Sequence, residues 1–251
     1  MTNPTRRSFN QTMLGSLMAY GLIETIFSRD LFADAVKPVV HKWLAELNEL
    51  SRDLKGQKVK DSDFQAKLEE LYRRVNLAEL VTLIDLDRLT RNVKYPTKGA
   101  ASLGIDLTKV EGLPKTLAFG KQIFAMNKGR SVVPHGHDNM STGFIILRGT
   151  FAGRHYDRVE DNKDHYLIKP TIDRAFKPGE CSTVSDHKDN VHWFKAESDA
   201  AAIFNIHILG YNPDNPKTSG RVYVDPDGEK VAGGLIVAKK ISSAECHKKY
   251  G

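Results

Sequence analysis

Cysteine is scarce: Cys181 and Cys246 are the only two in 251 residues, and neither belongs to a Cys-x-x-Cys pair. A disulfide-dense scaffold and a cysteine-ligated metal site are therefore excluded. One bridge between the two stays open in an oxidising compartment; otherwise Cys181 reads as buried on a strand and Cys246 as exposed near a loose tail. Long apolar runs are also missing, since Met13 to Ile23 falls well short of the roughly 20 residues that cross a bilayer. Charge of one sign is not concentrated: 37 Lys and Arg are scattered among 31 Asp and Glu, for a net charge of only +6. A nucleic-acid-binding stripe is excluded on that ground, and nucleic acid is not an expected partner.

The amino terminus carries a different signal. Thr5-Arg6-Arg7-Ser8-Phe9-Asn10-Gln11 is similar to the twin-arginine export consensus, the short apolar run follows it, and Leu31-Phe32-Ala33-Asp34-Ala35 offers a small-x-small cleavage pattern. Residues 1–35 are thus expected to be a twin-arginine signal peptide, with the Tat export machinery as partner. The mature protein would be periplasmic or exported, with no stable membrane insertion after processing. Glu24, Arg29 and Asp30 favour the alternative, a helix packed on the body of a cytoplasmic protein. Export in the folded state would suit a protein that loads Fe(II) or Mn(II) before it meets Cu(II) and Zn(II), which stand higher in the Irving–Williams order.

Residues 37–54 place Val39, Val40, Trp43, Leu44, Leu47 and Leu50 at helical spacing, and 62–75 and 76–89 repeat the pattern. Gly56 and Asp61-Ser62-Asp63 break and recap between the first two. A helical cap over 36–93 is expected. Residues 94–114 are punctuated by Pro96, Gly99, Gly104 and Gly112 and read as irregular. Beyond them short alternating runs recur, from Leu117 to Met126 through to Gly234 to Ala238, with Asp225-Pro226-Asp227-Gly228 as a hairpin turn. The fold class is mainly β, a barrel over 94–240 behind an amino-terminal helical cap, with 241–251 as a flexible tail.

Within that barrel lies Gly129-Arg130-Ser131-Val132-Val133-Pro134-His135-Gly136-His137. Two histidines one residue apart on a strand share a face, so both imidazoles reach one cation. His192 in Asn190-Val191-His192-Trp193-Phe194 is the expected third metal ligand, because it sits in a β-prone run. His187 is the rival, in a loop among Asp186, Lys188 and Asp189. Rigid elements hold ligands better than loops, which favours His192.

The stretch from Gly129 to Gly149 resembles the first cupin motif, G-x5-H-x-H-x3,4-E-x6-G, with Ser141 or Thr142 in place of the glutamate. Lys177-Pro178-Gly179-Glu180 resembles the turn of the second motif. The resemblance implies a double-stranded β-helix (jelly-roll) barrel. A lost glutamate beside three histidines is similar to the three-histidine iron cupins, in particular the thiol dioxygenases that resemble cysteine dioxygenase. Leu89-Thr90-Arg91-Asn92-Val93 is similar to the segment with that group's carboxylate-binding arginine, and Ile206-His207-Ile208 to the strand with its histidine beside the substrate. The resemblance thus implies roles for Arg91 and His207. It departs at the family's tyrosine, where Leu209 stands and Tyr211 is the nearest tyrosine, and at its crosslinking cysteine, replaced by Ser141 or Thr142.

Three neutral imidazoles leave the metal charge uncompensated, which favours an anionic thiolate, enolate or carboxylate ligand. The expected activity is that of a non-heme Fe(II) dioxygenase acting with O2 on a small anionic thiol such as cysteine or mercaptopropionate; Mn, Ni, Cu or Zn remain open as the metal. Arg91, Arg154, Arg130 and Arg148 are candidates for a carboxylate clamp, through the planar guanidinium fork. Arg154 and Arg148 read equally well as surface residues, and His155 reads as a surface histidine. The rivals are a metal-binding or storage cupin, a redox-neutral isomerase or hydrolase, and a dioxygenase that cleaves a C–C bond in a diketone or phenolic acid. A homo-oligomer is left open.

Overall fold

The computed structural model describes residues 40 to 251 apart from 216 and 218. The twin-arginine segment and its cleavage pattern over 1–35 lie outside the described residues. Among these, no helix is long and apolar enough to cross a membrane.

The cap forms as four helices, α1 (Val40–Lys55), α2 (Asp61–Arg73), α3 (Leu77–Ile84) and α4 (Leu86–Thr90). Trp43, Leu44 and Leu47 of α1 and Phe64, Leu68 and Tyr72 of α2 form the stripes that become fully buried. Asn76 caps α3 by accepting from Glu79 N. Asp85, with φ of 54°, breaks the helix and starts α4.

Eleven strands follow. A five-stranded sheet has the order β1-β2-β9-β4-β7, from β1 (Ala101–Gly104), β2 (Gly120–Met126), β9 (Ala201–Leu209), β4 (Met140–Arg148) and β7 (Cys181–Val184). The other six close into a barrel, β10-β11-β6-β5-β8-β3. They are β10 (Gly220–Val231), β11 (Leu235–Lys240), β6 (His165–Phe176), β5 (Phe151–Asp161), β8 (Val191–Ala196) and β3 (Ser131–Asp138). All pairings are antiparallel. This is the expected mainly β, double-stranded β-helix architecture behind a helical layer.

Strand alternation separates the cores. On the five-stranded sheet Ile145, Leu147, Phe204, Ile206 and Ile208 pack against the helices. The alternate residues Phe144, Ile146 and Ile203 meet Phe151, Phe176 and Phe194 of the opposing strands.

Three expectations need correcting. Residues 241–251 are not a loose tail: α5 (Ser243–Tyr250) is held by a full capping box, Ser242 accepting from Glu245 N while the Glu245 carboxylate accepts from Ser242 N. Its Cys246 and Tyr250 are buried against Val133 of β3, so Cys246 is not exposed. Both thiols are free, Cys181 half-buried. The Asp225 to Gly228 segment is not the hairpin turn; it is an irregularity inside β10, and the chain reverses at Ala232–Gly234, where two glycines adopt positive φ.

Candidate metal centre

The site is built from cross-strand registers. On β3, His135 and His137 point to one face with Gly136 between them. The β3–β8 ladder is in register at Val132↔Phe194, shifts, and resumes at His135↔His192. Pro134 sits in that irregular stretch, where its missing N–H does least harm. A one-residue slip turns side chains to the other face, and this one brings His135 opposite His192. The row continues on both sides, Tyr223 of β10 opposite His135 and His155 of β5 opposite His192.

Potential ligand nitrogens of His135, His137 and His192 all lie within 4.8 Å of one another, and the three side chains are buried. The Nδ1 atoms face main-chain carbonyl oxygens: His135 to Val133 O at 2.7 Å, His137 to Gly220 O at 3.1 Å and His192 to Asn190 O at 3.3 Å. A carbonyl can only accept, so Nδ1 carries the proton in each ring and Nε2 keeps its lone pair. Burial, then neighbouring positive charge, holds His192 down at about 3. Burial first, then His192, keeps His135 and His137 well below the usual imidazole value. All three rings are neutral at pH 7, the form that binds a metal. Among the described residues no carboxylate lines the adjoining cavity, so the donor set fits a borderline cation with positions left open.

Asn190 braces the group. Its Nδ2 donates to His137 O and Ser185 O, and its Oδ1 accepts from His137 N. A Cβ on Gly136 would stand 2.6 Å from Asn190 Oδ1, so the glycine of the His-Gly-His triplet makes room for this brace.

A cavity of about 160 Å³ opens above the histidines. Phe124, Val132, Met140, Phe144 and Leu209 supply its apolar wall, and Gln122, Thr142, Asn205, His207 and Arg221 its polar one. Ser141 is turned the other way and donates to Val184 O at 3.4 Å, so Thr142 is the residue facing the metal group. Thr142 Oγ1 and His207 Nδ1 are buried and have no hydrogen-bond partner among the described residues. They are opposite each other in the β4–β9 register. Burial, then Arg221 and Lys55, lowers the His207 pKa, so that ring is neutral too.

The remaining candidates are placed elsewhere. Arg91 is exposed beyond α4 and does not line the cavity. Arg154 lies over the Trp193 ring and pairs with Asp173 at 3.4 Å. Arg148 binds Asp87 and Thr90, and Arg130 reaches Gly251 O at 3.5 Å. His187 is exposed, 3.8 Å from Asp61. Tyr211 donates to Asp61 at 2.6 Å, away from the metal group. His155 is not a surface residue: it is fully buried, its ring 6.2 Å from that of His192, with Ser182 Oγ at 3.2 Å. The arginine that sequence reasoning missed is Arg221, opposite His137 in the β3–β10 register. Strand alternation could have found it only once that distant pairing was known.

Fold and site together define a double-stranded β-helix with a three-histidine group that could hold a metal ion. No family model matches the chain, and no curated protein matches it. Among solved structures it is similar to a sugar phosphate isomerase of the cupin superfamily from Silicibacter pomeroyi, at 18% identity over 61% of this chain and 90% of that one, with a TM-score of 0.35. A double-stranded β-helix protein from Klebsiella pneumoniae is similar at 12% identity, 55% and 87% coverage and a TM-score of 0.35. A recombinant oxalate oxidase in complex with glycolate gives 16%, 51% and 56%, and 0.35; the matched region spans little more than half of that chain.

Proposed function

We propose that this protein is a non-heme Fe(II) dioxygenase acting on a small anionic substrate, with a short thiol acid such as cysteine or mercaptopropionate as the substrate class. The observation that carries the reading is the all-histidine, carboxylate-free ligand group facing a small cavity with a guanidinium at its edge. Three neutral ligands keep the full charge of a divalent cation, which selects an anionic partner. A bound Fe(II) would supply redox chemistry and open coordination positions for substrate and O2.

The chain's own residues do the rest. Arg221, exposed at the mouth, attracts and holds the acid end of the substrate. Thr142 Oγ1 and His207 Nδ1 are buried polar atoms that a bound substrate would satisfy, and neutral His207 can hold a proton at one nitrogen and accept at the other. Buried Phe124 and Phe144 exclude water from the reacting end. A cavity of about 160 Å³ suits a substrate of few heavy atoms, which favours thiol acids over bulkier phenolic acids. Export through the twin-arginine route remains part of the proposal.

The test is metal analysis of anaerobically purified protein coupled to oxygen uptake with cysteine, 3-mercaptopropionate and acetylacetone. Near-stoichiometric iron with substrate-dependent uptake, lost in His192→Ala, is expected. Zinc, copper or manganese without uptake by iron-reconstituted protein would overturn the reading in favour of a binding or redox-neutral protein.

A further inference from the structure

The cavity wall that faces the three histidines belongs to the five-stranded sheet, and its polar groups form one compact patch. In the registers of β2, β9 and β4, Gln122 stands opposite Asn205, and His207 stands between Gly120 and Thr142. Asn205 and His207 are two positions apart on β9 and share a face. Apolar rows flank the patch, Met140 and Leu209 on one side and Phe124, Ile203 and Ile146 on the other. Cross-strand neighbours lie side by side, so the polar groups can meet one substituent of a ligand together.

The patch is neutral and incompletely satisfied. Thr142 Oγ1 and His207 Nδ1 are buried without a hydrogen-bond partner among the described residues, and Asn205 beside them is only 3% exposed. Gln122 is oriented from β1, where Ser102 Oγ donates to its Oε1 at 2.6 Å and leaves the Nε2 end as a donor. A Cβ on Gly120 would collide with His207 Nε2, so glycine there lets the ring lie against β2. A hydroxyl, two carboxamides and a neutral imidazole offer both donors and acceptors. Among the described residues no carboxylate lines the cavity, whereas the Arg221 cation does.

We propose that this patch reads the substituent on the carbon beside the acid group of the substrate, selecting a hydroxyl there and rejecting an ammonium. The preferred substrate is then a 2-hydroxy thiol acid, and Thr142 and Asn205 are specificity-determining residues. The inference rests on the reading of the cavity as the site of a short thiol acid. A hydroxyl donates and accepts at once, so it satisfies the unpaired atoms of Thr142 and His207 together. A hydrogen in its place leaves those buried atoms unpaired. An ammonium has donors only, and it adds positive charge between Arg221 and a metal ion with no carboxylate to offset it.

The test uses full-length protein loaded with zinc, which has no redox chemistry, and calorimetric titration with 3-mercaptolactate, 3-mercaptopropionate and cysteine. These acids differ only at the carbon in question. Wild type is expected to bind 3-mercaptolactate about tenfold tighter than 3-mercaptopropionate, the scale of one or two neutral hydrogen bonds, and cysteine least tightly. Thr142→Val and Asn205→Leu should each cut that preference by about threefold or more and leave 3-mercaptopropionate within about twofold of wild type. Equal binding of the three acids by wild type, or cysteine bound as tightly as 3-mercaptolactate, would overturn the proposal. So would a hydroxyl preference left intact in the Thr142→Val/Asn205→Leu double variant, or an equal loss for both hydroxylated and plain acid. Oxygen uptake by the iron-loaded protein separates the two readings. A hydroxyl preference without uptake sinks the dioxygenase and leaves the patch; uptake with no preference among the acids does the reverse.

Discussion

Gly136 shows how much one missing side chain decides. Gly136→Ala puts a methyl group 2.6 Å from Asn190 Oδ1 and 3.1 Å from the Tyr166 ring, so either Asn190 or β3 has to move. The variant should lose about 1–3 kcal/mol of stability by overpacking, read from urea unfolding of metal-free protein, and bind metal more weakly. Asn190→Ala removes the brace itself, strands the His137 N–H and takes a donor from Ser185 O and from His137 O, the latter keeping Arg158 at 3.1 Å. A loss of about 10–100-fold in metal affinity is expected by competition with a chelator, and an unchanged affinity would show that Asn190 has no part in orienting His137. The pair of histidines was legible in the sequence because alternation on one strand is local. Arg221 was not, because what aims it at the site is a register with a strand more than eighty residues earlier.

Elements carry the next set of consequences. The α5 capping box predicts that Ser242→Ala costs about 1 kcal/mol, and because α5 backs β3, the loss should appear in the global urea midpoint and not as local fraying alone. Deleting 241–251 should be far more damaging, since it uncovers Val133 and removes the acceptor for Ser131 Oγ at Tyr250 O. The helix escaped a reading by periodicity because only two of its eight residues, Cys246 and Tyr250, are buried. The long strand β5 gives a weak signal in the sequence for a related reason. Arg154, Asp157 and Arg158 interrupt its apolar alternation, and charge in the second half of the strand resembles a loop. The cap helices gave themselves away through wide apolar stripes, which survive any uncertainty about partners.

At the scale of the whole molecule the four buried imidazoles His135, His137, His155 and His192 link stability to pH. Burial is the leading cause of each downward shift, so the folded chain refuses protons that the unfolded chain accepts near pH 6.5. Their contribution is therefore complete above about pH 6.5 and is lost as pH falls below it, by up to about 1.4 kcal/mol per group for each pH unit. Metal-free protein should show a urea midpoint that drops steeply between about pH 7 and pH 5, and a flat profile would contradict the burial of these rings. Saturating metal should raise the midpoint at pH 7, by about 2.7 kcal/mol at a hundred times its dissociation constant. The tautomer of every ligand ring is set by a main-chain carbonyl, at Val133, Gly220 and Asn190. Main-chain acceptors survive substitution of the side chains that carry them. In a randomised library at Val133 or Gly220, variants that keep the strands in register should keep all three lone pairs aimed inward, so the metal group is robust to genetic drift while the cavity above it is free to diversify.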